Sequence, residues 1–525
     1  MKNTLATPQN IKEYSWQERA LRAEALLDET QKRLQYLEAQ VRLLTTKRFG
    51  ASSEKTPSNQ LSLFDDVFNE AEATAEPFAP EPDLSEVKVT SYKRKKKRTR
   101  EELFEDLPEN IIHHHLPKEE MVCSCGHPRH VIRQETSREL RIVPAQFWVD
   151  VHIQDVCGCR HCEQHGDIEK SPVVTAPRPA RAIPHGIGSP SAVAYVMEQK
   201  YVMGTPLYRL EKQWERQGIP LSRQTMANWI VYCAERWLAP IYDRLKTHLL
   251  QQIIVMADET TVQVLQEPGK KAQSSSYMWL YRTGRDAPKI VLYDYQSSRG
   301  KEHPKKFLEG FTGFLCTDGY QGYNSVEGVT HVGCWSHARR YFDEAVKASG
   351  GKGKNPKAKE GLDFCNRLFH LERKWRELTP EERHQKRLLE SKPVLEAFLA
   401  WLEVTNAYCV PKSHLGKAIT YCLNQWQPLT AFLLDGRLYI DNNSSERSIK
   451  PYVIARKNFL FCITPKGASA SAITFSIIET AKENGLKPFE YLEYLFTHLP
   501  STTSQELDQY MPWSKTLPDN CRSNP

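Results

Sequence analysis

Between residues 250 and 334 the chain alternates short apolar runs with polar turns: Ile253 to Ala257, Thr261 to Leu265, Tyr277 to Arg282, Lys289 to Tyr293, Phe314 to Thr317 and Thr330 to Cys334. Runs of this length, bounded by turn residues, read as strands. A helical pattern, His337 to Ala348, follows them. Short connections between the first strands, then a longer crossover to the run that ends before Asp318, predict a mixed sheet with flanking helices. Two of the runs close on an aspartate, Asp258 and Asp318, and a third acidic residue, Glu446, sits far downstream in Asp441-Asn442-Asn443-Ser444-Ser445-Glu446-Arg447.

A carboxylate at a strand's C-terminal end is pushed out of the buried sheet toward a crevice, where its oxygens suit a hard divalent cation. Three of them together could hold two metals. Such ions, about 3.5–4 Å apart, clamp the attacking and leaving oxygens of an in-line displacement at phosphorus. Taken singly, an aspartate after a strand is an ordinary turn former or helix cap. Other carboxylates compete for the role. Period-two alternation sends Glu259 to the opposite sheet face, Asp294 reads as a turn residue, and Asp441 reads as a cap for the helix that carries Glu446.

At 525 residues the chain has room for three or four domains. Its 71 Lys and Arg against 64 Asp and Glu are too nearly balanced to imply nucleic acid by themselves. Their distribution says more, because Lys93 to Arg100 carries seven basic side chains in eight positions. Such a block can neutralise phosphates, although a solvated linker has the same composition. Neither a signal-peptide core nor a run of membrane-spanning length is present, so the expectation is a cytoplasmic, nucleoid-associated protein without a membrane partner. Of thirteen cysteines, eight are scattered among apolar residues and read as reduced core thiols.

The remaining cysteines cluster as Cys123-Ser124-Cys125 and Cys157-Gly158-Cys159-Arg160-His161-Cys162. Two pairs on separate turns give four thiolates in tetrahedral reach of zinc, with Cys123, Cys125, Cys159 and Cys162 as the ligands expected. The first pair is one residue tighter than the favoured spacing, which leaves His127, Cys157 or His161 as substitutes.

Helical signals divide the rest. Residues 1–50 carry an apolar heptad through Ala20, Leu27, Leu34 and Val41, read as a coiled coil and hence a homo-oligomer. Residues 51–104 read as a flexible linker ending in the basic run, and 105–170 as the zinc ribbon. Residues 171–249 read as a helical DNA-binding segment: Thr205-Pro206 opens one helix, Gly218 ends it, and Ser222 caps a second whose inner face is Met226, Trp229, Ile230 and Cys233. Arg223, Gln224 and Asn228 would then face outward toward bases or phosphates, as in a helix-turn-helix. An ordinary helical hairpin has the same pattern. Residues 250–348 form the first part of the sheet domain, 349–435 a helical insertion in which Thr379-Pro380-Glu381-Glu382 opens one helix with a capping box, 436–500 the second part, and 501–525 a tail.

These segments resemble the transposases of the insertion sequence 66 type over nearly the whole chain. Ala257-Asp258-Glu259-Thr260, Thr317-Asp318-Gly319-Tyr320 and Asn442 to Arg447 are similar to the family's three catalytic segments. Ser298 to Pro304, Cys334-Trp335-Ser336-His337-Ala338-Arg339-Arg340, Glu479 to Gly485 and Pro512-Trp513 resemble further family motifs. The resemblance implies a ribonuclease H-like catalytic domain, an Asp-Asp-Glu triad of Asp258, Asp318 and Glu446 holding magnesium or manganese, cleavage and strand transfer at transposon ends and target DNA, and accessory proteins from the same element. Arg299, His337, Arg339 and Arg340 would position phosphates, and Arg447, Lys450, Arg456 and Lys457 would line the DNA path. A catalytically silent DNA-binding regulator and a simple endonuclease remain the alternatives.

Overall fold

The structure, a computed structural model, describes residues 146–158, 173–176, 180–184, 186–348, 356–410, 413–502 and 504–523. The expected coiled coil, the basic run and the proposed zinc ligands Cys123, Cys125, Cys159 and Cys162 lie outside the described residues. The chain divides into two compact units, Ala51–Pro177 and a second that includes Arg178–Pro525. In the first, β1 (Val156–Gly158) pairs antiparallel with β2 (Val173–Thr175), with Cys157 opposite Val174.

The second unit begins with helices. α1 spans Pro190–Tyr201, α2 Leu207–Arg216, α3 Arg223–Cys233 and α4 Ala239–Leu250. α2 starts one residue later than the Thr-Pro signal suggests. Thr205 donates its N–H to Gln199 O, so the cap position falls to Pro206, which offers no side-chain acceptor. Gly218 does end α2, at a φ of +83° that favours a residue without Cβ. Ser222 caps α3 by accepting the Thr225 N–H at 3.2 Å, and Met226, Trp229, Ile230 and Cys233 are buried as the periodicity demands.

The sheet contains β3 (Ile254–Gln263), β4 (Ser275–Thr283), β5 (Val291–Gln296), β6 (Phe314–Cys316) and β7 (Thr330–Val332). Its spatial order is β5-β4-β3-β6-β7. β3 pairs antiparallel with β4 and parallel with β6, so the central strand joins the antiparallel half to the parallel half. The sequence suggests two strands on either side of Asp258. One continuous strand is found instead, because β4 pairs with β3 without a break from Val255 to Gln263. Asp294 likewise lies within β5, opposite Trp279, rather than in a turn.

Sheet edges need covering, and a helix late in the chain covers this one with hydroxyls. After α5 (Glu302–Phe307), α6 (Trp335–Ala348), α7 (Pro356–Lys374), α8 (Pro380–Lys386), α9 (Lys392–Ala407), α10 (His414–Asn424), α11 (Trp426–Thr430) and α12 (Asn443–Phe459), the chain forms α13 (Pro465–Glu483) and α14 (Pro488–His498). The N–H groups of Val291 and Tyr293 on β5 donate to Thr480 Oγ1 at 3.0 Å and Ser476 Oγ at 2.7 Å. Side chains on a helix therefore take the place of a sixth strand.

The helices between the second and third acidic residues are not a separate body. Cys365, Leu368, Phe398, Leu402, Ile419 and Cys422 share one buried cluster with Ile254, Met256, Cys316 and Val332 of the sheet and with Trp335 and Phe342 of α6. Burying each large side chain of this kind contributes about 1.5–3 kcal/mol. α8 opens with the capping box expected of Thr379 and Glu382. Just after it, the fully buried Arg387 pairs with Glu372 at 2.7 Å and donates to Phe432 O, Asp435 O and Leu438 O. That guanidinium fixes the path by which the chain leaves the helices and returns to the sheet. The eight scattered cysteines are free thiols, all buried except the half-buried Cys409.

Candidate active site

Strand register brings the first two acidic residues together. The parallel pairing of β3 with β6 ends at Met256 and Cys316, and Asp258 and Asp318 each lie two residues beyond that pair. Asp258 is thus not at the end of its strand but two residues past the point where parallel pairing stops. Its Oδ1 accepts the Glu259 N–H at 2.8 Å, and Asp318 Oδ1 accepts the Tyr320 N–H at 3.0 Å. The turn after Asp318 needs Gly319, whose φ is +93° and whose missing Cβ would sit 3.3 Å from the Gln425 side chain. Tyr421 on α10 donates its hydroxyl to Asp318 O at 3.2 Å, so the helical segment between the acidic residues braces the second of them.

Glu446 comes from the first turn of α12. Asn442, just before that helix, donates from Nδ2 to Ala257 O at 2.9 Å, and its N–H meets Cys334 Sγ at 3.2 Å. Its Oδ1 accepts from Ser445 Oγ at 2.9 Å. One buried amide therefore stitches the start of α12 to the residue preceding Asp258. Asp441 is not the cap expected of it: Asn442 holds that position without a side-chain cap bond, and Asp441, one residue earlier, accepts the Asn443 N–H at 3.2 Å. From the other side Arg282 of β4 donates to Ser444 O at 3.2 Å and pairs with Glu483 of α13 at 3.2 Å. Arg282 and Tyr421 escape sequence reasoning, and Asn442 and Glu483 fall within family-like motifs without any sign of what they will touch.

The three carboxylates repel one another. Burial, the Glu259 charge and the charges of Asp318 and Glu446 hold Asp258 well above the ordinary carboxylate range. Burial raises Glu446 too, with Asp441 and Asp318 adding to it and Arg340 and Arg447 opposing. Glu446 Oε1 is buried without a hydrogen-bond partner among the described residues. An orphaned buried acceptor costs about 1–3 kcal/mol. The oxygens of Asp258, Asp318 and Glu446 do not all lie within 4.8 Å of one another, so a shared cation would draw them closer. Charge-burdened oxygens with an unused lone pair are nonetheless what a hard divalent cation would relieve, and the donor chemistry fits such an ion.

Glu259 has a different environment. It is 9% exposed, its Oε1 accepts from Arg299 Nε at 2.8 Å, and its Oε2 accepts from the Tyr323 hydroxyl at 2.7 Å. Burial and Asp318 raise its carboxyl, while Arg299 and Tyr323 pull it back. Arg299 also stacks 3.9 Å from the centre of the Tyr320 ring.

The other expected DNA contacts are dispersed. Arg340 lies close enough to Glu446 and His337 for its charge to act on both. His337 is held below its ordinary pKa by burial and then by Arg340, and its Nδ1 has no partner among the described residues. Arg339 is turned away, donating to Asn366 Oδ1 at 2.8 Å. Arg447 donates to Ser444 Oγ at 3.1 Å, and Arg456 is bonded to Thr261 Oγ1 at 3.0 Å. Arg447, Lys450 and Lys457 follow helical spacing along one side of α12. Arg223, Gln224 and Asn228 are exposed on α3, with Gln224 donating to Asn228 at 3.0 Å.

This arrangement agrees with what the chain resembles. The model of the Transposase IS66 family matches residues 185–470, a span that contains all three acidic residues. The chain belongs to the IS66 transposase family. The IS66 C-terminal element matches 476–513, the zinc-finger binding domain of transposase IS66 matches 120–163, and the "Transposase C of IS166 homeodomain" matches 36–112. The zinc-finger match encloses every clustered cysteine. Similar proteins include three from Sinorhizobium fredii. Uncharacterized protein y4jD is 32% identical over 76% of this chain and 80% of its own length. Uncharacterized protein y4hP is 27% identical over 74% and 73%, and y4qI 29% over 77% and 75%. The zinc-finger and homeodomain matches make zinc and DNA the partners of this IS66 family member. Among the described residues no helix is long and apolar enough to cross a membrane.

Proposed function

We propose that this IS66-family chain is a DNA transposase whose Asp258, Asp318 and Glu446 act as an Asp-Asp-Glu triad in a ribonuclease H-like domain. The observation that carries the reading is that register, Asn442 and Tyr421 converge on three carboxylates that repel one another and have no neutralising ion pair among the described residues. The mixed sheet built about β3 supports the fold assignment.

Asp258, Asp318 and Glu446 would hold magnesium or manganese, which when bound supplies Lewis-acid stabilisation to the attacking and leaving oxygens of phosphodiester displacement. Asn442 and Arg282 keep Glu446 in place against the sheet. Arg340, with Arg447, Lys450 and Lys457 along α12, supplies positive charge beside the carboxylates for the DNA backbone, and Arg223, Gln224 and Asn228 read or anchor the element end. Cys123, Cys125, Cys159 and Cys162 hold zinc in the separate ribbon. Pairing through residues 1–50 and cooperation with accessory proteins belong to the same reading.

The test is a strand-transfer assay with cognate ends, target DNA and magnesium. A transposase gives joined product, and Asp258→Ala, Asp318→Ala and Glu446→Ala each abolish it while end binding persists. Cut DNA that is never joined would identify an endonuclease. Tight end binding without cleavage by the wild type would identify a regulator. Arg223→Ala should weaken end binding by about 1–3 kcal/mol and flatten its salt dependence if α3 meets DNA.

A further inference from the structure

Behind Glu446 lies a second set of donors with a different chemistry. The ligand atoms of Cys334, His337 and Glu446 all fall within 4.8 Å of one another. Cys334 sits where β7 passes into α6, and His337 is in the first turn of that helix. The sulfur accepts N–H groups from Asn442, at 3.2 Å, and from His337. Burial disfavours the Cys334 thiolate; these bonds, together with the positive end of a fourteen-residue helix, oppose that and would stabilise the thiolate once a metal has displaced its proton. As a helix cap alone Cys334 would need nothing further. The two neighbours are what a cap leaves unexplained, since His337 Nδ1 and Glu446 Oε1 are both buried without a partner among the described residues.

We propose that Cys334, His337 and Glu446 form a site for a thiophilic divalent cation of the zinc or cobalt class, sharing Glu446 with the carboxylate cluster. A sulfur, an imidazole nitrogen and one carboxylate oxygen are the donors such ions prefer, and they match magnesium poorly. A tetrahedral ion would bring these donors to about 3.5 Å from one another, a side-chain adjustment of about an ångström. Occupancy engages the carboxylate that magnesium-supported chemistry needs. The site is therefore a point of zinc inhibition, a consequence that rests on the triad reading, whereas the binding itself does not.

Full-length protein with its ribbon loaded with zinc is titrated with cobalt. The expected result is a further equivalent bound with a sulfur-to-cobalt charge-transfer band, and loss of that band in Cys334→Ser, whose hydroxyl can still cap α6. His337→Asn should weaken the same equivalent at least tenfold while leaving the thiol in place. Identical cobalt spectra in wild type and Cys334→Ser would overturn the site, since ribbon exchange contributes equally to both. If Cys334→Ser does not fold, unchanged cobalt affinity in His337→Asn overturns it instead. In parallel, the ratio of cleavage rates with and without micromolar zinc should fall in the wild type and stay near one in Cys334→Ser. A wild type that binds cobalt as expected but never cleaves DNA would refute the triad and leave this site standing.

Discussion

Asp258 and Glu259 are adjacent on one strand, both largely withdrawn from water, and their surroundings are opposite. Glu259 has a guanidinium and a phenol on its two oxygens. Asp258 has its own strand's N–H and the charges of three other carboxylates. The pairing of Glu259 satisfies a buried charge from within the chain, whereas the crowding around Asp258 leaves charge that something from outside must satisfy. Buried acids of the first kind are architecture, and those of the second kind mark a site.

The sharpest way to break this contrast is to neutralise each side. Asp258→Asn, Asp318→Asn and Glu446→Gln should each lower cleavage and joining by about a thousandfold or more, the scale of losing a group that stabilises the transition state. In metal-free protein Asp258→Asn should nevertheless raise the melting temperature, because one repelling charge is gone. Glu259→Gln should lower it, by roughly 2 kcal/mol of stability. A broken buried pair costs more than that, but the Arg299 side chain is 42% exposed and solvent screens the loss. Thermal melts with and without magnesium decide the matter. If both substitutions destabilise the metal-free protein alike, the distinction between the two acids fails.

A pH series sharpens the same contrast. The raised carboxyls of Asp258 and Glu446, and that of Glu259 beside them, bind protons more tightly folded than unfolded, Asp258 the most strongly displaced. Their contribution is therefore full below the unfolded carboxylate range and is lost as pH rises through the folded values. Metal-free protein should lose stability on going from mildly acidic to neutral pH. Magnesium, which favours the ionised forms, should flatten that slope, and so should Asp258→Asn.

A smaller effect is expected at Asn442, which holds the two halves of the site together. Asn442→Ala removes the bond to Ala257 O and leaves that buried carbonyl unpaired, at about 1–3 kcal/mol of stability. Misplacing Glu446 should slow cleavage roughly 10–100-fold at saturating magnesium. Unchanged rates at full occupancy would show that Glu446 does not depend on this amide.

Much of the frame was legible in advance, and what was not has a common cause. Apolar runs announced the sheet, since strand burial leaves a local pattern, and Ser222, Gly218 and the box at Thr379 announced helix ends through chemistry confined to a few residues. Asp258 and Asp318 could be marked because each follows an apolar run, and Glu446 through its resemblance. Continuity of β3 through Asp258 could not be read, because it is imposed by β4 from the partner side. Nor could the fate of Arg299, expected at a phosphate and found on Glu259 forty residues away. Most of all, the helices after residue 355 read only as an insertion between the second and third acidic residues, with no sign of what they would touch. Their core is continuous with the sheet, and Tyr421 reaches Asp318. Contacts between distant segments leave no periodicity for a single sequence to display.

Two tyrosine hydroxyls give the finest version of the comparison. Tyr323 donates to Glu259, and Tyr421 donates to the backbone carbonyl of Asp318. Changing either to Phe deletes one oxygen and about 0.5–1.5 kcal/mol of hydrogen bonding. On the architectural side, Tyr323→Phe should lower stability and leave the magnesium dependence of cleavage where it was. On the site side, Tyr421→Phe loosens the turn that aims Asp318, so the magnesium concentration for half-maximal rate should rise two- to tenfold with little change in melting temperature. The two variants therefore differ in which measurement moves. If Tyr323→Phe shifts the metal dependence as much as Tyr421→Phe does, Glu259 belongs to the site after all, and the boundary drawn between neighbours on β3 is in the wrong place.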